Sequence, residues 1–355
     1  MPSRFTVLPA TAALPLLATS LLVAGCGGDG ASRADGAGVV NVYSHRHYDT
    51  DQQLFDRFTE LTGIRVNVVS ASADELITRL EAEGARSPAD VLITVDAGRL
   101  HRAKERGLLQ PVSSPVLEGN IPSHLRDPEG FWFGLTQRAR ILAYARDRVR
   151  PEELSTYEEL ADPRWRGRVL TRSSENIYNI SLMASVIAHA GVEAAERWAR
   201  GVAANLARPP QGGDTDQITD VAAGVGDVAI VNSYYVGRLL NSDSPREREL
   251  AARVGVFFPN QGEGERGTHM NVSGAGVTAH APNRENALRL IEFLVEDEAQ
   301  ALFALGGFEY PVKPGVEWAP ILREWGEFRM DTLDLEVLGE RNNEAVMALD
   351  RAGWR

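Results

Sequence analysis

The stretch VVNVYSHRHYDTDQQLFDRFTELTGIRVNVVSASADELITRLEAEGARSPADVLITV, residues 39–95, decides the fold. Val39 to Tyr43 is an apolar run of strand length. Gln52 to Leu61 then carries apolar residues at helical spacing, and Gly63 closes it. Ile64 to Val69 alternates as a strand does. Asp74 to Glu83 turns Leu76, Ile77 and Leu80 to one side of a helix, and Ala89 to Val95 is a further apolar strand run. The order β-α-β-α-β predicts an α/β fold, a parallel sheet covered by helices. Ligands bind such sheets in the crevice beyond the carboxyl ends of the strands, and Tyr48 and Asp96 both follow strands there.

Toward the C-terminus, Leu135 to Tyr144 (LTQRARILAY) reads as an extended crossing out of this first unit. A second α/β unit follows, with Gly167 to Leu170, helices near Ile180 to Ala190 and Val192 to Ala203, and a strand ending at Asn232. Val254 to Pro259 and Ser273 to Val277 read together as a return crossing, and Asn286 to Val295 as another amphipathic helix. A length of 355 residues exceeds what one core organises, so two lobes are expected. Their expected bounds are 39–137 plus 271–311 for lobe 1, and 138–270 plus 312–355 for lobe 2. Lobes joined by extended segments can close on a ligand through small dihedral changes at the crossings.

Toward the N-terminus, Phe5 to Ala24 is apolar and preceded by Arg4, the layout of a secretory signal. The small residues before Cys26 resemble a bacterial lipobox. Residues 1–25 are therefore expected to be a signal peptide, Cys26 the lipidated first residue of the mature chain, and 26–38 a glycine-rich tether. The expected location is the periplasm or the outer face of the cytoplasmic membrane, with lipid as the sole membrane contact. Cys26 is the only cysteine, which excludes a disulfide, a cysteine-based zinc site and a free thiol nucleophile. A net charge of −12 disfavours nucleic acid as a partner.

Tyr234 and Tyr235 follow the strand Val228 to Asn232, where Asn232 and Ser233 supply turn or helix-cap chemistry. Adjacent residues on a regular strand face opposite sides, so the pair needs a bend to address one ligand. His47 and Tyr48 follow the first strand, and Tyr178 follows the polar turn Ser173 to Asn176. Three segments thus offer phenol oxygens. Phenolate is a hard anionic donor, and ferric iron is the ion that most rewards several of them. A free tyrosine with pKa near 10 is protonated at neutral pH, so binding is expected to release protons.

The pieces Tyr43 to Asp51, Thr94 to Leu100, Asn232 to Tyr235, Phe257 to Gln261 and Arg266 to His269 resemble bacterial ferric-iron-binding proteins, the bacterial transferrins. The resemblance extends over the chain from Val39 onward. It implies a two-lobed periplasmic-binding-protein fold of type II character, each lobe a sheet flanked by helices, with the ligand cleft between lobes. It further implies a non-catalytic receptor that passes Fe3+ to an ABC permease, expected as a monomer. The ligands it implies are Tyr48, Tyr178, Tyr234 and Tyr235, with His47 as a fifth donor. Some relatives add a synergistic anion such as carbonate near the segment Arg138 to Arg140, which makes Arg138 and Arg140 candidates for an anion or for a place beside a tyrosinate.

Other readings stay open. The tyrosines could wall a site for an organic cation or a small anion. His45, His47 and Asp49 alternate as an iron-dependent oxidoreductase would want. Gly262 to Gly267 matches a dinucleotide fingerprint, but its two glutamates repel a pyrophosphate and no long helix follows. Ser273 lacks the first glycine of a nucleophile elbow.

Overall fold

In the computed structural model, residues 38–46 and 48–355 are described; the expected signal segment, Cys26 and His47 lie outside them. The opening stretch folds as β1 (Val39–Ser44), α1 (Asp49–Thr62), β2 (Arg65–Ser70), α2 (Ala73–Glu83) and β3 (Val91–Val95). The strands pair in parallel, β1 lying between β2 and β3. Gly63 ends α1 in the left-handed conformation at φ 74°, where glycine has no Cβ penalty. Ser72 starts α2 by accepting from Glu75 N while Glu75 reaches back to Ser72 N.

The chain continues through α3 (Ala97–Glu105) and α4 (Pro115–Asn120) into β4 (Phe133–Ala145), a strand of 13 residues, all buried. Next come β5 (Val169–Leu170), α5 (Ile177–Ala190), α6 (Val192–Ala204), α7 (Asp214–Ala223) and β6 (Val228–Asn232). These are followed by α8 (Ser233–Leu240), α9 (Pro245–Ala252), β7 (Val254–Phe257) and β8 (Met270–Val277). The C-terminal part adds α10 (Arg284–Leu294), α11 (Asp297–Gly307), β9 (Tyr310–Pro311), α12 (Pro320–Glu324), α13 (Glu336–Glu340) and α14 (Asn342–Arg351).

The sheet runs β2-β1-β3-β8-β4-β6-β5, with β7 and β9 also on β4. β4 joins its two parts. Phe133 to Ala139 pair with β8, which continues to β3, whereas Arg140 to Ala145 pair with β6 and β7. Side-chain alternation along the second part sends Leu142 and Tyr144 into the larger core and Ile141, Ala143 and Ala145 into a smaller one behind it. The middle of this buried strand, Thr136 to Arg138 and Arg140, is polar and marks the crossing as more than scaffold.

One expectation needs correction. β8 alone makes the return crossing; β7 pairs only with Leu142 to Ala145. Pro259, which cannot donate to a ladder, and Asn260 at φ 62° turn the chain away before it re-enters at Met270. Gly262 to Gly267 lies in turns with no helix behind it.

Candidate functional site

Three strand-to-helix junctions position the phenols. Tyr48 is the residue before α1, extended at φ −85°, ψ 151°, and its N–H donates to Asp51 Oδ2 at 3.2 Å. Tyr178 is the second residue of α5; its N–H donates to Oδ1 of Asn176 at 3.1 Å, so the polar turn read from the sequence acts as the helix cap. Tyr234 and Tyr235 fall in the first turn of α8, directly after β6. The helix supplies the bend the pair requires, and their rings stack at 4.2 Å with 30° between planes. Asn232 precedes α8 without capping it through its side chain, because its Oδ1 accepts from Arg140 Nη1 at 3.2 Å.

The phenols converge. The hydroxyls of Tyr178 and Tyr234 are 3.4 Å apart although 56 positions separate them. Tyr48 is coupled to them electrostatically: ionisation of Tyr178 would raise the pKa of Tyr48, and ionisation of Tyr48 that of Tyr234. Arg238, one turn after Tyr234 on α8, lies 4.3 Å over the Tyr48 ring. Burial raises the pKa of Tyr48, Tyr234 and Tyr235. Glu309 adds to this at Tyr48, and the neighbouring phenols add to it at Tyr234. These three hydroxyls therefore keep their protons at neutral pH until a cation displaces them. An ordinary phenol costs about 4 kcal/mol to ionise at pH 7, at ~1.4 kcal/mol per pH unit, and burial adds to that. A singly charged cation cannot offset several such ionisations; a trivalent one with hard-donor preference can.

Arginines frame the phenols. Arg138 and Arg140 occupy alternate positions on β4, so both face Tyr178, at 5.2 and 5.7 Å from its ring centre, and Arg172 lies at 5.5 Å. Arg140 is held by Asp214 at 2.8 Å and Asn179 at 2.8 Å. Arg138 differs: it is buried and none of its guanidinium nitrogens has a hydrogen-bond partner, the nearest carboxylate oxygen being that of Asp96 at 3.6 Å. Burial works against its charge, but Tyr178, Asp96 and Tyr234 outweigh it and raise its pKa. Its donors suit an anionic oxygen, whether of a phenolate or of a small anion. His269, buried beside the arginines, is pushed down to about 3 by burial and their charge, so its imidazole is neutral.

Several contributors escaped the sequence reading. Arg46 is buried behind Tyr48, stacked 5.0 Å from its ring and 5.2 Å from that of Phe303, and fixed by Asp51 at 3.0 Å and Glu309 at 2.8 Å. The one available signal was an arginine two residues after a mostly buried strand. Asp214, Arg172, Arg238 and Glu309 carried none, since their partners are distant in sequence. Asp49 is exposed and His45 half-buried. Among the described residues no three His, Cys, Asp or Glu side chains gather as a metal site of those residue types would require.

A site built where β4 and β8 join the two parts of an α/β sheet fits the class of solute-binding receptors. The chain belongs to the bacterial extracellular solute-binding protein family, whose model matches residues 86–324. It is 50% identical to iron uptake protein A1 of Synechocystis, over 99% of both chains. Among solved structures it is similar to a Trichodesmium IdiA (FutA) protein in complex with iron and citrate, with 51% identity and a TM-score of 0.87, covering 89% of this chain and all of that one. The ferric binding protein of Campylobacter jejuni matches with 41% identity and a TM-score of 0.84, again over 89% of this chain and all of that one. The fold is thus the two-lobed, helix-flanked α/β architecture expected from the sequence.

Proposed function

We propose that this protein is an extracytoplasmic receptor that captures Fe3+ between two lobes and delivers it to the permease of an ABC transporter. The observation that carries the reading is the convergence of Tyr178 with the Tyr234–Tyr235 pair, to which Tyr48 is coupled electrostatically from a third helix start. The family membership and the relatives that bind or take up iron support it. Tyr48, Tyr178, Tyr234 and Tyr235 are the ligands, and His47 is a fifth, neutral donor.

Lobe 1 comprises 39–137 plus 271–311 and lobe 2 comprises 138–270 plus 312–355. Tyr48 belongs to the first and the other phenols to the second, so iron has more ligands in the closed form than in the open one. That difference is what drives closure. Arg138 balances phenolate charge or holds a synergistic anion such as carbonate; its unpartnered nitrogens fit either. The receptor does no catalysis. It is exported on residues 1–25 and held to the membrane by lipid on Cys26.

The test is a titration. Mature protein stripped with chelator at low pH is titrated with ferric citrate while absorbance and metal content are followed. One iron per chain with a visible tyrosinate charge-transfer band is expected. Binding of an organic cation or anion with no band would overturn the reading.

A further inference from the structure

Asp96 joins β3 to α3 at φ 84°, ψ 123°, a conformation that non-glycine residues rarely adopt, and it is wholly buried. Such geometry persists only where surrounding contacts over-determine it, and it concentrates at sites of function. The carboxylate has four neighbours. Oδ1 accepts from Gly98 N at 3.0 Å and from Ser181 Oγ at 2.6 Å. Oδ2 accepts from Asn271 Nδ2 at 2.9 Å and faces Arg138 Nη2 at 3.6 Å.

Gly98 is local, and Asn271 and Arg138 sit opposite one another on the crossing strands β8 and β4. Ser181 is different in kind. It lies on α5, three residues after Tyr178, so it shares that side of the helix and belongs to the other half of the sheet. It is buried between Ile180 and Leu182, and Asp96 is its hydrogen-bond partner.

We propose that the Asp96–Ser181 hydrogen bond is a closure latch, Asp96 acting as a positioning residue that seats α5, and with it Tyr178, against the half that carries Tyr48. The proposal rests on the ferric-iron reading. A hydrogen bond to an ionised carboxylate is among the stronger ones a hydroxyl makes. In this structure both groups are buried, which shelters the bond from water. On opening, both groups exchange it for water, so the bond favours one state over the other, as a latch must. Because Asp96 also faces Arg138, which lies 5.2 Å from the Tyr178 ring, the latch and the phenol share one cation.

Ser181→Ala removes the bond across the halves and leaves the Gly98 and Asn271 contacts in place. Ser185→Ala is the control, since Ser185 is buried on the same helix and its hydroxyl has no hydrogen-bond partner. Iron release to excess chelator is followed through the tyrosinate band, together with band position and the melting temperature of the iron-free protein. Release from Ser181→Ala should be about tenfold faster, with band position and iron-free melting temperature unchanged and Ser185→Ala like wild type. Equal release rates for Ser181→Ala and wild type, or equal acceleration by Ser185→Ala, would overturn the latch. A wild-type protein with no tyrosinate band would instead overturn the ferric-iron reading on which it rests.

Discussion

Lowering the pH by one unit should weaken iron binding far more than it would at a carboxylate site. Tyr48, Tyr234 and Tyr235 all have pKa values raised by burial, so each enters the iron-free state protonated, and any of them that ligates must give up its proton. With Tyr178 added, up to four protons leave per iron bound. The sign follows directly: protons compete with the metal, so affinity falls as pH falls. Each released proton contributes about tenfold per pH unit, giving a loss of about 10⁴-fold between roughly pH 7.5 and 6.5 if all four phenols ligate. The assay is proton counting by pH-stat in weakly buffered solution during loading from a ferric chelate. The protons taken up by the freed chelate are measured separately, by acid–base titration of the chelate with and without iron at the same pH, and added to the count. Three to four protons per iron are expected. Release of one proton or none would refute phenolate ligation, because raised phenols cannot bind a metal as anions and keep their protons.

Tyr234→Phe should lower iron affinity by more than the ~100-fold typical of losing an outer-shell partner, and should weaken the visible band; titration of the stripped variant checks both. Glu336 holds α13 on α3 through His101 Nδ1 and Lys104 Nζ, both at 2.9 Å. Burial opposes its charge, yet these partners pull its pKa down to about 2. A depressed carboxyl stabilises above its unfolded pKa and loses that contribution as pH falls through its folded value. Glu336→Gln should therefore cost about 2–3 kcal/mol at pH 7, a gap in melting temperature that narrows as pH drops from about 4.5 toward 2. Cys26→Ala should move the protein from the membrane fraction to the soluble periplasmic extract, which fractionation and immunoblotting would register.

The first half of the sheet was legible because its signals are local. Apolar spacing marked α1 and α2, Gly63 marked a helix end, and the alternation of Ile64 to Val69 located β2 to within a residue. The phenols were legible for a related reason: Asn176 and Asn232 announce helix starts, and tyrosines placed just inside such starts stand at the sheet's carboxyl ends. What surrounds them was not. Arg46 meets Glu309 across 263 positions and Asp96 meets Ser181 across 85, contacts made only once β4 and β8 bring the halves together. The β7 misreading has the same origin, since an apolar run carries no label for which part of a long strand it will join.

The central claim is that phenol oxygens from both lobes grip a trivalent iron. A crystal structure of the mature protein with ferric iron, with anomalous data at the iron absorption edge, tests it most directly. One iron peak bonded to the hydroxyl oxygens of Tyr48, Tyr178, Tyr234 and Tyr235 is the predicted result. An iron bound elsewhere, or tyrosine oxygens that stay apart around no metal, would contradict it.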